Sequence, residues 1–275
     1  MVSMERCLKY TIIKGENPSI MENDQNLINR NWPEEGKITF INYSVKYRPN
    51  TEIVLKNLNI KINPKEKIGV VGRTGLGKST ICLCLFRILE PLNGQILIDD
   101  IDITTIGLDL LRQNITIIPQ DPCLLEGSLK YNIDPFERTS NNEIIKILKE
   151  IGFEYTESDN DILNKNIEQN GSNLSVGEKQ LICIARAIVR KTKIIVMDEA
   201  TANIDMKTEE KIQKAKEKCL NNSTVITVAH RIKTVIKYHK ILVLDAGNVI
   251  EFDSPQNLLK NENSLFYKLY SKSTM

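Results

Sequence analysis

The stretch "GRTGLGKST", residues 72–80, restricts the chain more than any other part of it. It fits G-x-x-x-x-G-K-[ST], with Gly72, Gly77, Lys78 and Ser79 at the defining positions. An apolar run, "EKIGVVG", precedes it, and a helical pattern, "KSTICLCLFRILE", follows as far as Pro91. Glycines at such a turn let backbone N–H groups converge on phosphate oxygens, and a helix that starts there adds its positive dipole end. The run from Gly72 through Arg73, Thr74, Gly75, Gly77 and Lys78 to Ser79 and Thr80 is therefore read as a phosphate-binding loop. Lys78 reaches the β- and γ-phosphates and the Ser79 hydroxyl ligates Mg²⁺. A chain with this feature must build an α/β core in which a strand feeds a helix.

Such a site needs an apolar strand that ends in a carboxylate, and "KIIVMDEA" supplies one. Asp198 holds Mg²⁺, directly or through water. Two adjacent carboxylates at a strand end are costly unless a cation sits near them, so Glu199 is read as orienting or deprotonating an attacking water. A nucleotide's phosphates and Mg²⁺ are thus the expected ligands, and the catalytic set begins with Lys78 and Glu199.

Elsewhere, "KITFINYSVKY" and "IVLKNLNIKI" alternate apolar and polar residues, as antiparallel strands do. "GQILIDD", "ITIIPQ", "TVITVAH" and "KILVLDAG" read as further strands. Residues 121–190 are helix-rich without strong strand signals, with "NEIIKILKEIG" and "GEKQLICIARAIVRK" the clearest helices. Strands alternating with helices imply a mainly parallel sheet covered on both faces. The expected fold class is α/β, a P-loop NTPase (RecA-like) core with an N-terminal antiparallel β subdomain and an inserted α-helical subdomain. The expected divisions are a linker over 1–36 with one short helix, then a domain over 37–275. Within it, antiparallel strands and loop-bearing core occupy 37–120, helices 121–190, continued core 191–252 and C-terminal helices 253–275.

The 275 residues carry 37 Lys and Arg against 35 Asp and Glu, and this near-neutral balance argues against nucleic acid as a partner. No apolar run is long enough to span a bilayer, and "MVSMERCLKY" has charges where a signal peptide has its apolar stretch. The six cysteines form no C-x-x-C pair, and with two histidines they make no zinc site, so they read as buried thiols of a reducing compartment.

Together, "GRTGLGKST", "LSVGEKQ", "IIVMDEAT" and "TVAHR" resemble the nucleotide-binding domain of ABC transporters, with the motifs in order from Trp32 onward. "WPEEGKITFINYSVKYRP", "LRQNITIIPQDPCLLEGSLKYNIDPF" and "VIEFDSPQNLL" resemble the second such domain of subfamily C, the multidrug-resistance-associated type. The resemblance implies that Tyr47 stacks on adenine and that Gln120 contacts Mg²⁺ and couples the site to the membrane part. It implies that His230 bonds the γ-phosphate, joining Lys78 and Glu199 as catalytic, and that Asp205 in "ANID" crosses a dimer interface. Metal contacts would come from Ser79, Gln120 and Asp198.

It also gives "SNLSVGEKQ" a purpose, since one chain has no use for a second anion-binding element at its own nucleotide. Ser175, the Gly177 backbone and the helix start near Glu178 would face the γ-phosphate held by an opposing domain. Val176 replaces the usual second glycine, and Glu178 puts a negative charge near a triphosphate. Because Glu199 is a glutamate and not the aspartate common in the first domain of subfamily C, the resemblance implies the hydrolytically competent half.

The expected function is therefore an ATPase domain that powers export by an ABC transporter. Its partners would be a second nucleotide-binding domain, identical or not, and transmembrane domains. Its expected location is the cytosolic face of a membrane, with the isolated chain soluble. The alternative is a gating nucleotide-binding module of a channel-type subfamily C protein with little turnover. A ribosome- or DNA-directed ATPase would need fused domains or coiled coils, and a P-loop kinase would have no use for "LSVGE" or His230. "MVSMERCLKY" resembles the exit segment of a last transmembrane helix, which implies the C-terminal part of a longer transporter.

Overall fold

A computed structural model describes residues 2–12, 15–73, 75, 77–156, 158–199, 206–229 and 231–274. The alternation seen in the sequence becomes β1 (Ile38–Val45) and β2 (Leu55–Ile62), an antiparallel pair with Ile38 opposite Ile62 and Phe40 opposite Ile60. The register slips between Phe40 and Tyr43, around Asn42 at φ 46°. The phosphate-loop strand is β3 (Lys67–Gly72). "GQILIDD" folds as β4 (Asn93–Ile98) and β5 (Ile101–Asp102), and "ITIIPQ" as β6 (Ile115–Ile118). β7 (Gly127–Ser128) pairs with β8 (Asn166–Ile167) inside the helical region; two residues each are too few to show a period. β9 (Ile194–Glu199), β10 (Thr224–Ala229), β11 (Lys240–Asp245) and β12 (Asn248–Asp253) follow.

Two sheets carry the fold. One is antiparallel, in the order β2-β1-β4-β5; the other has six strands in the order β12-β11-β3-β10-β9-β6. In the second, β11, β3, β10, β9 and β6 run parallel and β12 closes one edge antiparallel. Every residue of β10 is buried, as a strand covered on both faces requires. The sheets meet in one core that holds Phe40, Tyr43, Ile68, Ile81, Ile98, Val196 and Leu244. A second core gathers Ile144, Leu148, Ile162, Leu181 and Ile184 from the helical region. This is the expected α/β class: a mainly parallel core sheet, an N-terminal antiparallel sheet and an inserted helical part.

Three local expectations shift. The helix after the loop is Lys78–Leu85, several residues shorter than its pattern. It stops because Arg87 turns left-handed (φ 50°), and its buried guanidinium donates to the carbonyls of Ile103 and Ile106. The helix expected near Glu178 is Val176–Arg190, so Glu178 lies in its first turn. Ahead of residue 37 the described residues form two helices, Val2–Thr11 and Asp24–Asn29.

The segment before β1 packs closely on the rest. Glu16 forms a paired bond with Arg112, and Leu108 N–H and Asp109 N–H donate to the carbonyls of Pro18 and Ser19. Buried Asp24 accepts from Gly107 N–H at 2.9 Å. Trp32, the single tryptophan, is buried and donates Nε1–H to the Ile98 carbonyl at 3.1 Å. No helix among the described residues is long and apolar enough to cross a membrane.

Candidate functional site

The loop between β3 and the helix Lys78–Leu85 is built on glycine. Gly72 (φ 151°) leaves the strand where a Cβ would stand 2.2 Å from the Leu244 carbonyl oxygen, so only glycine fits between the strands. Gly77 (φ 95°) caps the helix in the left-handed region. A Cβ at Gly75 would meet nothing within 4 Å, so the loop's outer face is open. Thr74 and Leu76 lie outside the described residues. Lys78 is buried, and its ammonium donates to the carbonyls of Gly72 and Arg73, both at 2.9 Å. Burial lowers its pKa from the ordinary lysine value, while the Asp198 carboxylate nearby acts in the opposite sense. Ser79 is exposed on the first turn, and buried Thr80 shares a 3.0 Å hydrogen bond with the Tyr47 hydroxyl. Tyr47, half exposed just beyond β1, thus stands against the loop's helix.

The parallel sheet assembles the rest. β3, β10, β9 and β6 are consecutive neighbours that all run the same way. The loop follows β3, His230 follows Ala229 at the end of β10, Asp198 and Glu199 end β9, and Gln120 lies two residues past β6. In register, Val228 pairs with both Val70 and Asp198, and Ala229 pairs with Glu199. Ligands of open parallel sheets bind at this carboxyl edge. The Glu199 backbone is part of β9, whereas its side chain, all of His230 and all of Asp205 lie outside what is described.

Ser175, Gly177 and Glu178 stand elsewhere, at the start of the helix Val176–Arg190. Ser175 and Glu178 bond to each other as a capping box, and among the described residues none of their hydrogen bonds reaches the loop after β3. A Cβ on Gly177 would lie 2.2 Å from the Thr208 Cγ2 methyl, so this glycine admits the helix Met206–Cys219 close to the backbone. The helix starts at Lys78 and at Val176 are thus separate elements of one chain.

Comparison with known proteins decides what this arrangement belongs to. The ABC transporter family model matches residues 55–202, a span that runs from β2 past both carboxylates. The chain belongs to the ABC transporter family. Bile pigment transporter 1 of Saccharomyces cerevisiae is 48% identical over 290 residues, covering 99% of this chain and 18% of that protein. ATP-binding cassette sub-family C member 3 of Rattus norvegicus is 45% identical, with 97% of this chain and 17% of the relative covered. A bacterial Atm1-family ABC exporter solved with ATP bound superposes with a TM-score of 0.81 at 28% identity, over all of this chain and 47% of the other. The chain thus spans less than a fifth of the length of these curated relatives. It is an ABC ATP-binding domain of the ATPase class, and the resemblance to subfamily C holds.

Residue pattern missed the groups that hold this ABC domain's loops in place. Arg186 of the helix Val176–Arg190 donates to the Cys123 carbonyl, to the Asn132 carbonyl and to Asn132 Oδ1. Buried Asn132 in turn bonds both the N–H and the carbonyl of Leu125. Arg186 therefore ties the segment after Gln120 to the helix that starts at Ser175. Its one signal was a guanidinium inside the apolar run "ICIARAIV". Cys82, Cys84 and Cys183 are buried as expected, and burial pushes the Cys82 and Cys84 thiols up to about 12, but Cys7 and Cys123 are exposed.

Proposed function

We propose that this chain is the ATP-hydrolysing unit of an exporter, working through ATP-dependent pairing with a second nucleotide-binding domain. What supports the reading is the carboxyl edge of the parallel sheet. Four adjacent strands there end on the phosphate loop, on the position before His230, on Asp198 and Glu199, and near Gln120. Four segments from distant parts of the chain thus meet on neighbouring strand ends.

In this reading the backbone of residues 72–80 and the Lys78 ammonium bind the triphosphate, and Tyr47 stacks on adenine. Glu199 takes or orients the proton of the attacking water, and His230 bonds the γ-phosphate. Ser79, Asp198 and Gln120 offer only hard oxygen donors, and no cluster of three or more His, Cys, Asp or Glu stands among the described residues. That sparse set suits Mg²⁺, which keeps waters and takes the nucleotide's own oxygens as ligands. When bound, it would neutralise charge on the β- and γ-phosphates. Ser175, Gly177 and Glu178 would face the ATP of the opposing domain, with Asp205 at that interface.

We take residues 1–36 as the connection from membrane helices, 37–275 as the motor, and residues 121–190 as its inserted helical part. The domain would stand at the cytosolic face of the membrane and drive its transmembrane domains. A concentration series of ATPase rate, with Glu199→Gln as the blank, tests this. A rate per protomer that climbs with protein concentration and vanishes in the variant supports hydrolysis by paired copies. A flat, near-zero rate with nucleotide still bound would instead favour a gating module or an unlike partner.

A further inference from the structure

We infer that Glu178 is a latch on the second half-site: it occupies the donors of Ser175 and opposes the triphosphate carried by a second copy of this chain. The inference rests on the pairing proposed above and concerns the strength of that pairing. The geometry is specific. Glu178 Oε2 accepts from the Ser175 hydroxyl at 2.7 Å and from the Ser175 backbone N–H at 2.8 Å. The Glu178 N–H in turn donates to Ser175 Oγ at 3.2 Å.

A serine hydroxyl has one hydrogen, so while it donates to this carboxylate it cannot donate to a phosphate oxygen. The bond is charge-assisted, hence stronger than the neutral bond an uncharged partner would make. Among the described residues no cation forms an ion pair with this carboxylate. Its neighbour Lys179 donates to the Asn170 carbonyl at 2.9 Å instead. Ser175 and Val176 are exposed, so this end of the helix faces outward, where an opposing domain would arrive. Engaging a facing γ-phosphate with the Ser175 hydroxyl therefore requires breaking its bond to Glu178 and bringing like charges together. The helix dipole favours the incoming anion but has already been used by the carboxylate that caps it.

The capping role and the latch role separate in one substitution. Glutamine fills the same position of a capping box, yet carries no charge. The experiment compares Glu199→Gln with the double variant Glu199→Gln/Glu178→Gln, in ATP, by sedimentation at low and high salt. Thermal unfolding and nucleotide binding by the separated chains are measured alongside. The double variant is expected to associate on the order of tenfold more tightly, about 1.4 kcal/mol. That gap should narrow as salt screens the repulsion, while the unfolding midpoint stays within about 2 °C. Equal or weaker association, or a gap indifferent to salt, overturns the latch. If both variants bind nucleotide and neither associates, pairing between copies falls, and the latch with it.

Discussion

The Lys78 ammonium donates to the carbonyl oxygen of Gly72 at 2.9 Å, so the phosphate loop is closed on itself by its own cation. Its second bond, to Arg73 at 2.9 Å, completes a cradle in which loop carbonyls stand where phosphate oxygens would bind the same ammonium. A triphosphate would compete for these bonds, and its negative charge would oppose the lowering of the Lys78 pKa by burial.

Replacing Lys78 with methionine removes a desolvated cation along with its two bonds, so the folding cost should stay within about 1 kcal/mol. Transition-state stabilisation should fall by roughly 3 kcal/mol, about a hundredfold in turnover. ATPase assays and urea unfolding of the same preparation check both halves. A large loss of stability with activity spared would contradict the role.

Gly177 sits 2.2 Å, measured from an added Cβ, from the Thr208 methyl. Gly177→Ala should cost about 1–3 kcal/mol through overpacking, visible in denaturant unfolding. Thr208→Ser removes the offending methyl and keeps the hydroxyl, so the double variant should recover most of that loss. Additive destabilisation would show that the two positions do not compete for the same space.

Arg186 spans the segment after Gln120 and the helix that starts at Ser175. Arg186→Ala leaves the carbonyl of Cys123 and the buried Asn132 without their guanidinium and should destabilise the domain by about 2–4 kcal/mol. Amide exchange should rise first between residues 123 and 134. Exchange raised only at the phosphate loop would argue against this placement.

Glu16 is held below the ordinary carboxylate range, chiefly by its hydrogen bond to Arg112, with burial acting against it and the Arg112 charge adding to it. A lowered folded pKa means stabilisation above the unfolded value, lost as pH falls through the folded one. Protection of the Leu108 and Asp109 amides, which bond Pro18 and Ser19, should therefore fall in acid. In Glu16→Gln it should be weaker already at neutral pH, with a smaller acid step. An identical acid profile in both proteins would place the sensitivity at another group.

What the sequence alone determined here is local. The glycines of the loop, the apolar strand before it and the alternation of β1 and β2 are written in residues a few positions apart, because backbone dihedrals and pleat period act at that range. The same holds for the helix start near Glu178, a signal that spans one turn. Tertiary structure decided which of these pieces meet. That β10 lies between the loop's strand and the strand of Asp198, that Thr208 backs Gly177, and that Arg87 cuts its helix short to reach Ile103 and Ile106 depend on the order in which strands pair. Residues 16–33 looked like linker because they show no period. They pack through Glu16, Asp24 and Trp32 onto partners 66 to 96 residues away, and contacts at such separations follow from the packing of the whole core and leave no local pattern.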